Sequence, residues 1–345
     1  MRKESSQWRW RAAGAVIVIA ASAALWTWWA EDHPREERRL RVLVHDHLEQ
    51  WFPDQMATND GWHGLHPRTA PGAAAAAHVV LVHGLDEPGT IWDDLIPALN
   101  AAGARVWEFR YPNDQGIDRD AAYLAEHWPT LPTDQPVVLV GHSMGGLVIR
   151  DFVSRWRHPV SLPTRVTGPP VRGVILGATP NHGSEWARLR VWLELRDQFH
   201  LGTDRRYSLF AALRDGTGEA KIDLRPGSDF LTELNARPWP QEVPVLLIGG
   251  VLLPPESQWR AGIAQAAADT QSAELGETLD AWWSSLADGL GDGVVTLESL
   301  ALPEAAPPII VEATPRGMFL RYLPGDPQPP AIPHVIAALH AWGHD

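Results

Sequence analysis

The run Pro136-Val137-Val138-Leu139-Val140-Gly141-His142-Ser143-Met144-Gly145-Gly146-Leu147-Val148-Ile149-Arg150 constrains this chain more than any other. Its apolar first half is too short for a buried helix and stops at a glycine, after which apolar residues return with helical spacing. The spacing predicts a strand, a sharp turn with Ser143 at its apex, and a helix. Small residues two positions either side of a serine suit a turn that lifts the hydroxyl clear of a sheet. The helix behind it would aim unpaired backbone N–H groups at whatever the serine attacks.

Similar signals before and after this stretch predict a parallel sheet. Strands are expected at His78–Val82, Val106–Tyr111, Val171–Ala178, Val243–Ile248 and Ile309–Glu312. Helices are expected over Ile91–Ala102, Arg119–Trp128 and Ile332–Trp342, with the helix behind Ser143 running to Val153. Strands alternating with helices imply right-handed crossovers and a sheet covered on both faces. Two stretches break the rhythm. Residues 185–240 contain Trp186, Trp192, Phe199 and several leucines among charges and no strand of the sheet; an amphipathic insertion there reads as a lid. A second, helical insertion is expected around Ile263–Leu286.

The N-terminus has another character. Arg2, Lys3, Arg9 and Arg11 precede Ala12–Ala30, 19 residues without a charge. That is close to the ~20 residues that cross a hydrocarbon core, and Trp26, Trp28 and Trp29 sit where an aromatic belt belongs. The expectation is a basic cytoplasmic tail (1–11), an inner-membrane signal anchor (12–30) and an extracytoplasmic, periplasmic body. Cleavage after Ala21-Ser22-Ala23 is the alternative and would give a secreted protein, but the apolar run continues past that site. Leu40, Val42, Leu43, Val44 and Leu48 give the following segment a partly apolar helical face, suited to docking beside the bilayer or on the domain. Residues 53–77, rich in Pro, Gly and Ala, read as a linker, so that 31–77 is a juxtamembrane helix and linker and 78–345 the main domain.

Composition excludes some chemistry. There is no cysteine, hence no disulfide and no thiolate nucleophile, and the formal net charge of −13 argues against a nucleic-acid partner. No H-E-x-x-H motif, P-loop or dinucleotide fingerprint occurs, so no metal and no cofactor are expected.

The Gly141–Gly145 pentapeptide resembles the nucleophile elbow of α/β-hydrolases, lipases in particular. Further stretches carry the same resemblance. His83-Gly84-Leu85 is similar to the oxyanion loop of lipases, and Gly291-Asp292-Gly293-Val294-Val295 to the segment around the acid of bacterial lipases and esterases. Gly177-Ala178-Thr179-Pro180-Asn181-His182-Gly183-Ser184 resembles a segment of lipases and of GPI-inositol-deacylase-like hydrolases. Gly227–Asn235 resembles the end of their lid. The resemblance spans about residues 78–340. It implies an α/β-hydrolase fold and a carboxylic ester hydrolase of lipase or esterase type. Ser143 would be the nucleophile, Asp292 the acid (with Asp288 as competitor) and His334 the base, while the N–H groups of Leu85 and Met144 would form the oxyanion hole.

One departure stands out. In this group the histidine often falls just after the last strand, where this chain reads Val311-Glu312-Ala313-Thr314-Pro315-Arg316-Gly317-Met318. Of the histidines after Asp292, His344 is next to last and His340 lies within the last helix, leaving His334 at that helix's start. A thioesterase or amidase using the same triad, and a pseudohydrolase that binds without turnover, are the rival readings. The lid composition and the nearby bilayer favour an acyl-lipid ester as substrate.

Overall fold

The computed structural model describes residues 25–56, 62–70, 77–85, 89–184, 217–251 and 295–342, apart from 27, 31 and 304. Its centre is a seven-stranded sheet: β1 (Gly64–Pro67), β2 (Ala77–Val82), β3 (Ala104–Arg110), β4 (Val137–His142), β5 (Val171–Gly177), β6 (Val245–Val251) and β7 (Ile309–Glu312). The strand order is β1-β3-β2-β4-β5-β6-β7, parallel throughout except for β1, which runs antiparallel to β3. β2 and β4 are almost entirely buried, as a parallel sheet covered on both faces requires.

Helices α1 (Pro34–Trp51), α2 (Leu95–Ala101), α3 (Ile117–His127), α4 (Met144–Asp151), α5 (Glu219–Asp223), α6 (Asp229–Ala236) and α7 (Ile332–Trp342) surround it. Two core clusters occupy the faces. One joins α3, α4 and α6 to the sheet; the other joins α2 and α7, with Trp92 and Phe319 fully buried in it.

The expected strands and helices are present with shifted ends. Ile91 and Trp92 belong to a separate 3-10 turn before α2, both fully buried, and α4 passes into a wider π-helical turn over Phe152–Arg157. One reading needs correction. Residues 53–77 are not simply a linker: Pro53–Met56 is a helical turn and Gly64–Pro67 is the edge strand β1, extended by Arg68 donating to the Val106 carbonyl at 2.7 Å. Four residues that face a partner strand on only one side carry no periodicity to read; their pairing with β3 makes them a strand.

Within the expected lid, residues 185–216 lie outside the described residues. Residues 217–240 contain α5 and α6, whose Ala220, Phe230, Leu231 and Leu234 belong to the core. The Ile263–Leu286 insertion also lies outside the described residues. Among the described residues no helix is long and apolar enough to cross a membrane; the expected span over 12–30 falls mostly outside them.

Strand order positions the site. From β2 the chain moves outward to β3, then crosses back to β4 on the other side of β2. Ligands of open α/β sheets bind at the carboxyl ends of strands flanking such a switch. His83-Gly84-Leu85 leaves the carboxyl end of β2, and Ser143 that of β4.

Candidate active site

Ser143 occupies φ 53°, ψ −127°, a backbone region L-residues seldom adopt, between the last residue of β4 and the first of α4. Its N–H donates to the Gly177 carbonyl at the end of β5 (2.8 Å), and its carbonyl accepts from Gly146 (3.0 Å). Ser143 remains partly exposed, although every residue of β4 and α4 around it is buried.

The glycines follow from packing. A Cβ on Gly141 would lie 2.7 Å from the Gly146 backbone, and one on Gly145 would lie 2.3 Å from both the Val82 and His83 carbonyl oxygens. One on Gly146 would strike Thr179 Oγ1 at 2.0 Å. The elbow can sit this deep between β2 and β5 only without side chains at these positions.

The β2 loop packs directly on the serine: a Cβ on Gly84 would meet Ser143 Cβ at 3.0 Å and His142 Nδ1 at 3.4 Å. Leu85 packs against the core cluster that holds Met144. Met144 is the first residue of α4, so its N–H has no intrahelical acceptor. The two residues expected to form the oxyanion hole thus flank the Gly84–Ser143 contact.

His83 holds this loop. Its ring stacks on Tyr111 (4.5 Å between centroids, 17° between planes), its Nδ1–H donates to the Gly84 carbonyl (2.9 Å), and its own carbonyl accepts from the Tyr111 hydroxyl (2.5 Å). Burial keeps the imidazole neutral by pushing its pKa down. Tyr111 was hidden from sequence reasoning except as an aromatic at a strand end whose hydroxyl would need a partner.

His142 is the second buried imidazole. Nε2–H donates to the Pro315 carbonyl (3.1 Å), and Trp92 and Phe319 stand edge-on to the ring. Nδ1 therefore carries the lone pair, buried without a partner among the described residues. Burial pushes its pKa down to about 4 from 6.5. Between those values the unfolded chain binds a proton that folded His142 refuses. Its contribution to stability is complete above pH 6.5 and falls by about 3 kcal/mol as the pH drops through 4. His142→Gln keeps a donor for Pro315 and should lack this slope. Chemical denaturation near pH 7 and pH 4.5 should therefore show the stability difference between the two proteins moving toward the variant at low pH. An unchanged difference would mean that the ring is not held neutral.

Arg150 of α4 ties the two remaining motif segments together. Its guanidinium donates to Asn181 Oδ1 (3.2 Å) and Asn235 Oδ1 (2.9 Å). Asn181 in turn donates to the Leu300 carbonyl (2.7 Å), and Asn235 to the Asn181 carbonyl (3.0 Å). Arg150→Met leaves the buried Asn181 oxygen and the half-buried Asn235 oxygen without their charged donor and should cost about 3 kcal/mol, read as a lowered denaturation midpoint. A loss below about 1 kcal/mol would show that the network is not structural.

The structure brings Ser143, Met144, Gly84 and Leu85 together. It does not join the other expected residues to them. His334 is the third residue of α7, half-buried, and its ring makes no hydrogen bond to another described residue. Its helix reaches the elbow through intermediates: Ala331 donates to the Met318 carbonyl, Met318 and Phe319 pack on Gly177, and the Gly177 carbonyl accepts from Ser143. His340 is exposed. Asp292, its competitor Asp288 and His344 lie outside the described residues. The segment after β7, where the resemblance places a histidine, lies against the elbow, with Pro315 on His142. No group of three or more His, Asp or Glu among the described residues could hold a metal ion.

Comparison with known proteins agrees with this geometry. The profile of the Alpha/beta hydrolase family matches residues 79–343. Methylesterase 3 of Arabidopsis thaliana is 33% identical over 102 residues, which is 26% of this chain and 38% of the relative. Methylesterase 2 of the same plant is 32% identical over a segment of the same size, also 38% of its length. Among solved structures, the mature Bacillus licheniformis lipase BlEst2 superposes with a TM-score of 0.52 at 18% identity, over 82% of this chain and 99% of that one. The metagenomic carboxyl esterase MGS0156 gives 0.52 at 19% identity, over 76% and 75%. With the profile covering the whole sheet from β2 onward and the elbow in place, the chain belongs to the alpha/beta hydrolase family.

Proposed function

We propose that this protein is a serine hydrolase of carboxylic esters, with Ser143 as nucleophile. One observation carries the reading: Ser143 is held in a sparsely populated backbone conformation at the sheet's switch point, with Gly84 packed on its Cβ. Strain of this kind concentrates at functional sites. The ester class is supported by the two plant methylesterases. Ser143 Oγ would attack the ester carbonyl while the base takes its proton, and the Leu85 and Met144 N–H groups would receive the oxyanion. Collapse of the tetrahedral intermediate expels the alcohol, which takes the proton back; water then releases the acid by the reverse sequence. His334 is the proposed base and Asp292 its orienting acid. An acyl-lipid ester is the proposed substrate, and an inner-membrane anchor with a periplasmic domain the proposed setting.

Labelling with a fluorophosphonate probe tests this. Wild type should label, and Ser143→Ala and His334→Ala should not. Labelling that survives in His334→Ala would remove that residue from the triad. Faster turnover of long-chain than of short soluble esters is expected for a lipid substrate; equal rates would count against it.

A second reading, an α/β-hydrolase domain that binds without turnover, rests on Pro315. It lies against His142 in the segment where the resemblance to lipases places a histidine. A folded wild type that does not label, together with a Pro315→His variant that does, would establish it.

A further inference from the structure

Among the described residues, helix α1 docks on the domain by its charged side and leaves a largely apolar side uncovered. Glu37 and His45 are buried. Arg38 Nε donates to Asp223 (2.7 Å) and Nη2 to Asp118 (2.7 Å); Arg41 bonds Glu37 (3.0 Å) and the Thr217 carbonyl; Arg225 Nη2 reaches Glu37 (3.3 Å). By contrast Leu40, Leu43, Val44 and Trp51 are 41, 52, 49 and 66% exposed. At about 100° per residue these four share one arc of about 100°, in which Glu36 and His47 also fall. Burying one such side chain is worth about 1.5–3 kcal/mol. A helix that turns several outward while burying a glutamate is placed for an apolar surface beyond the domain.

Where the helix begins identifies that surface. Pro34 follows Ala30, the end of the uncharged Ala12–Ala30 stretch, by four residues, and Leu25 and Trp28 there are also exposed, 65 and 67%. A stretch of that length suits a hydrocarbon core, so the start of α1 would be held at its edge. A helix of this length runs about 27 Å, and aromatic and aliphatic residues on one face suit the interfacial layer. We propose that α1 lies flat on a lipid bilayer through Leu40, Leu43, Val44 and Trp51, and carries the hydrolase domain on its charged side. Thr217 lies within the 185–240 insertion, and its hydroxyl also donates to the Arg41 carbonyl (3.0 Å). The insertion is thus tied at Thr217 to the bilayer-facing helix. This goes beyond the hydrolase reading and stands without it.

The absence of cysteine allows a direct test. Leu43→Cys, Trp51→Cys and, as a control, Leu162→Cys (57% exposed, on the loop entering β5) are each made in the full chain. Each is labelled with an environment-sensitive nitrobenzoxadiazole dye and reconstituted in phosphatidylcholine–phosphatidylglycerol vesicles containing shallow doxyl-labelled lipid. The dyes at 43 and 51 should be quenched about twofold or more, and the dye at 162 should stay unquenched. Three dyes that all report water would overturn the proposal. So would oxidative cross-linking of Leu43→Cys between copies without lipid quenching, which would assign the face to a second copy of the chain. Protein that fails to float with the vesicles would overturn it as well. Quenching does not depend on turnover, so an inactive protein would give the same result.

Discussion

Ser143→Ala is expected to lower kcat/KM for a carboxylic ester by about 10⁴-fold or more while leaving the fold intact. Alanine meets the same steric conflict at φ 53° that serine does, so the variant gains no backbone relief. Ser143→Gly separates chemistry from conformation. Glycine adopts positive φ without that conflict, and a residue held in such a region costs about 1–3 kcal/mol. Ser143→Gly should therefore be as inactive as Ser143→Ala yet more stable than wild type, with a thermal midpoint higher by a few degrees. The pair makes the trade explicit: stability given up at one residue presents a hydroxyl above the sheet. A Ser143→Gly protein no more stable than wild type would show that the turn is relaxed and that the argument from strain fails. Residual ester turnover in Ser143→Ala near the wild-type rate would remove the nucleophile altogether.

What could be read from the sequence was local. The elbow needs a short buried strand, three close-packed glycines and a helix start within ten residues, and every part leaves its mark on neighbouring positions. The parallel sheet was legible for the same reason, since buried strands are continuous apolar runs. β1 was not legible because four residues with a single partner strand show no alternation. The face of α1 was visible as a period but not what covers it: Leu40, Leu43 and Val44 mark an apolar stripe, while Arg38 finds an acid 185 residues away at Asp223 and Arg41 a carbonyl 176 away at Thr217. Contacts of that range have no sequence signature. The same holds for Pro315, 173 residues from His142. The missing histidine shows in the sequence as a gap in a motif; that the gap lies against the residue beside Ser143 is visible only in the fold.

The glycines of the elbow should differ sharply in what they tolerate. Gly145→Ala puts a methyl 2.3 Å from two main-chain carbonyl oxygens, Val82 and His83. Neither can yield. Val82 is paired with Gly141 in the β2–β4 ladder, and the His83 carbonyl is held by Tyr111 while the next residue, Gly84, packs on Ser143. To admit the methyl, α4 would have to lift off the sheet, dragging Ser143 and Met144 away from Gly84 and Leu85. Gly145→Ala should therefore cost about 3 kcal/mol and abolish fluorophosphonate labelling even where the protein folds. Gly146→Ala meets a side chain instead: its methyl falls 2.0 Å from Thr179 Oγ1 and 2.9 Å from Thr179 Cβ. Thr179→Ala removes the nearer atom, and the double variant should recover part of the stability lost in Gly146→Ala. A conflict between two side chains gives this positive coupling in a double-mutant cycle; a conflict with main chain does not, and Thr179→Ala should do nothing for Gly145→Ala. Equal rescue of both variants would mean that α4 moves as a unit and that the β2 carbonyls do not set the depth of the elbow.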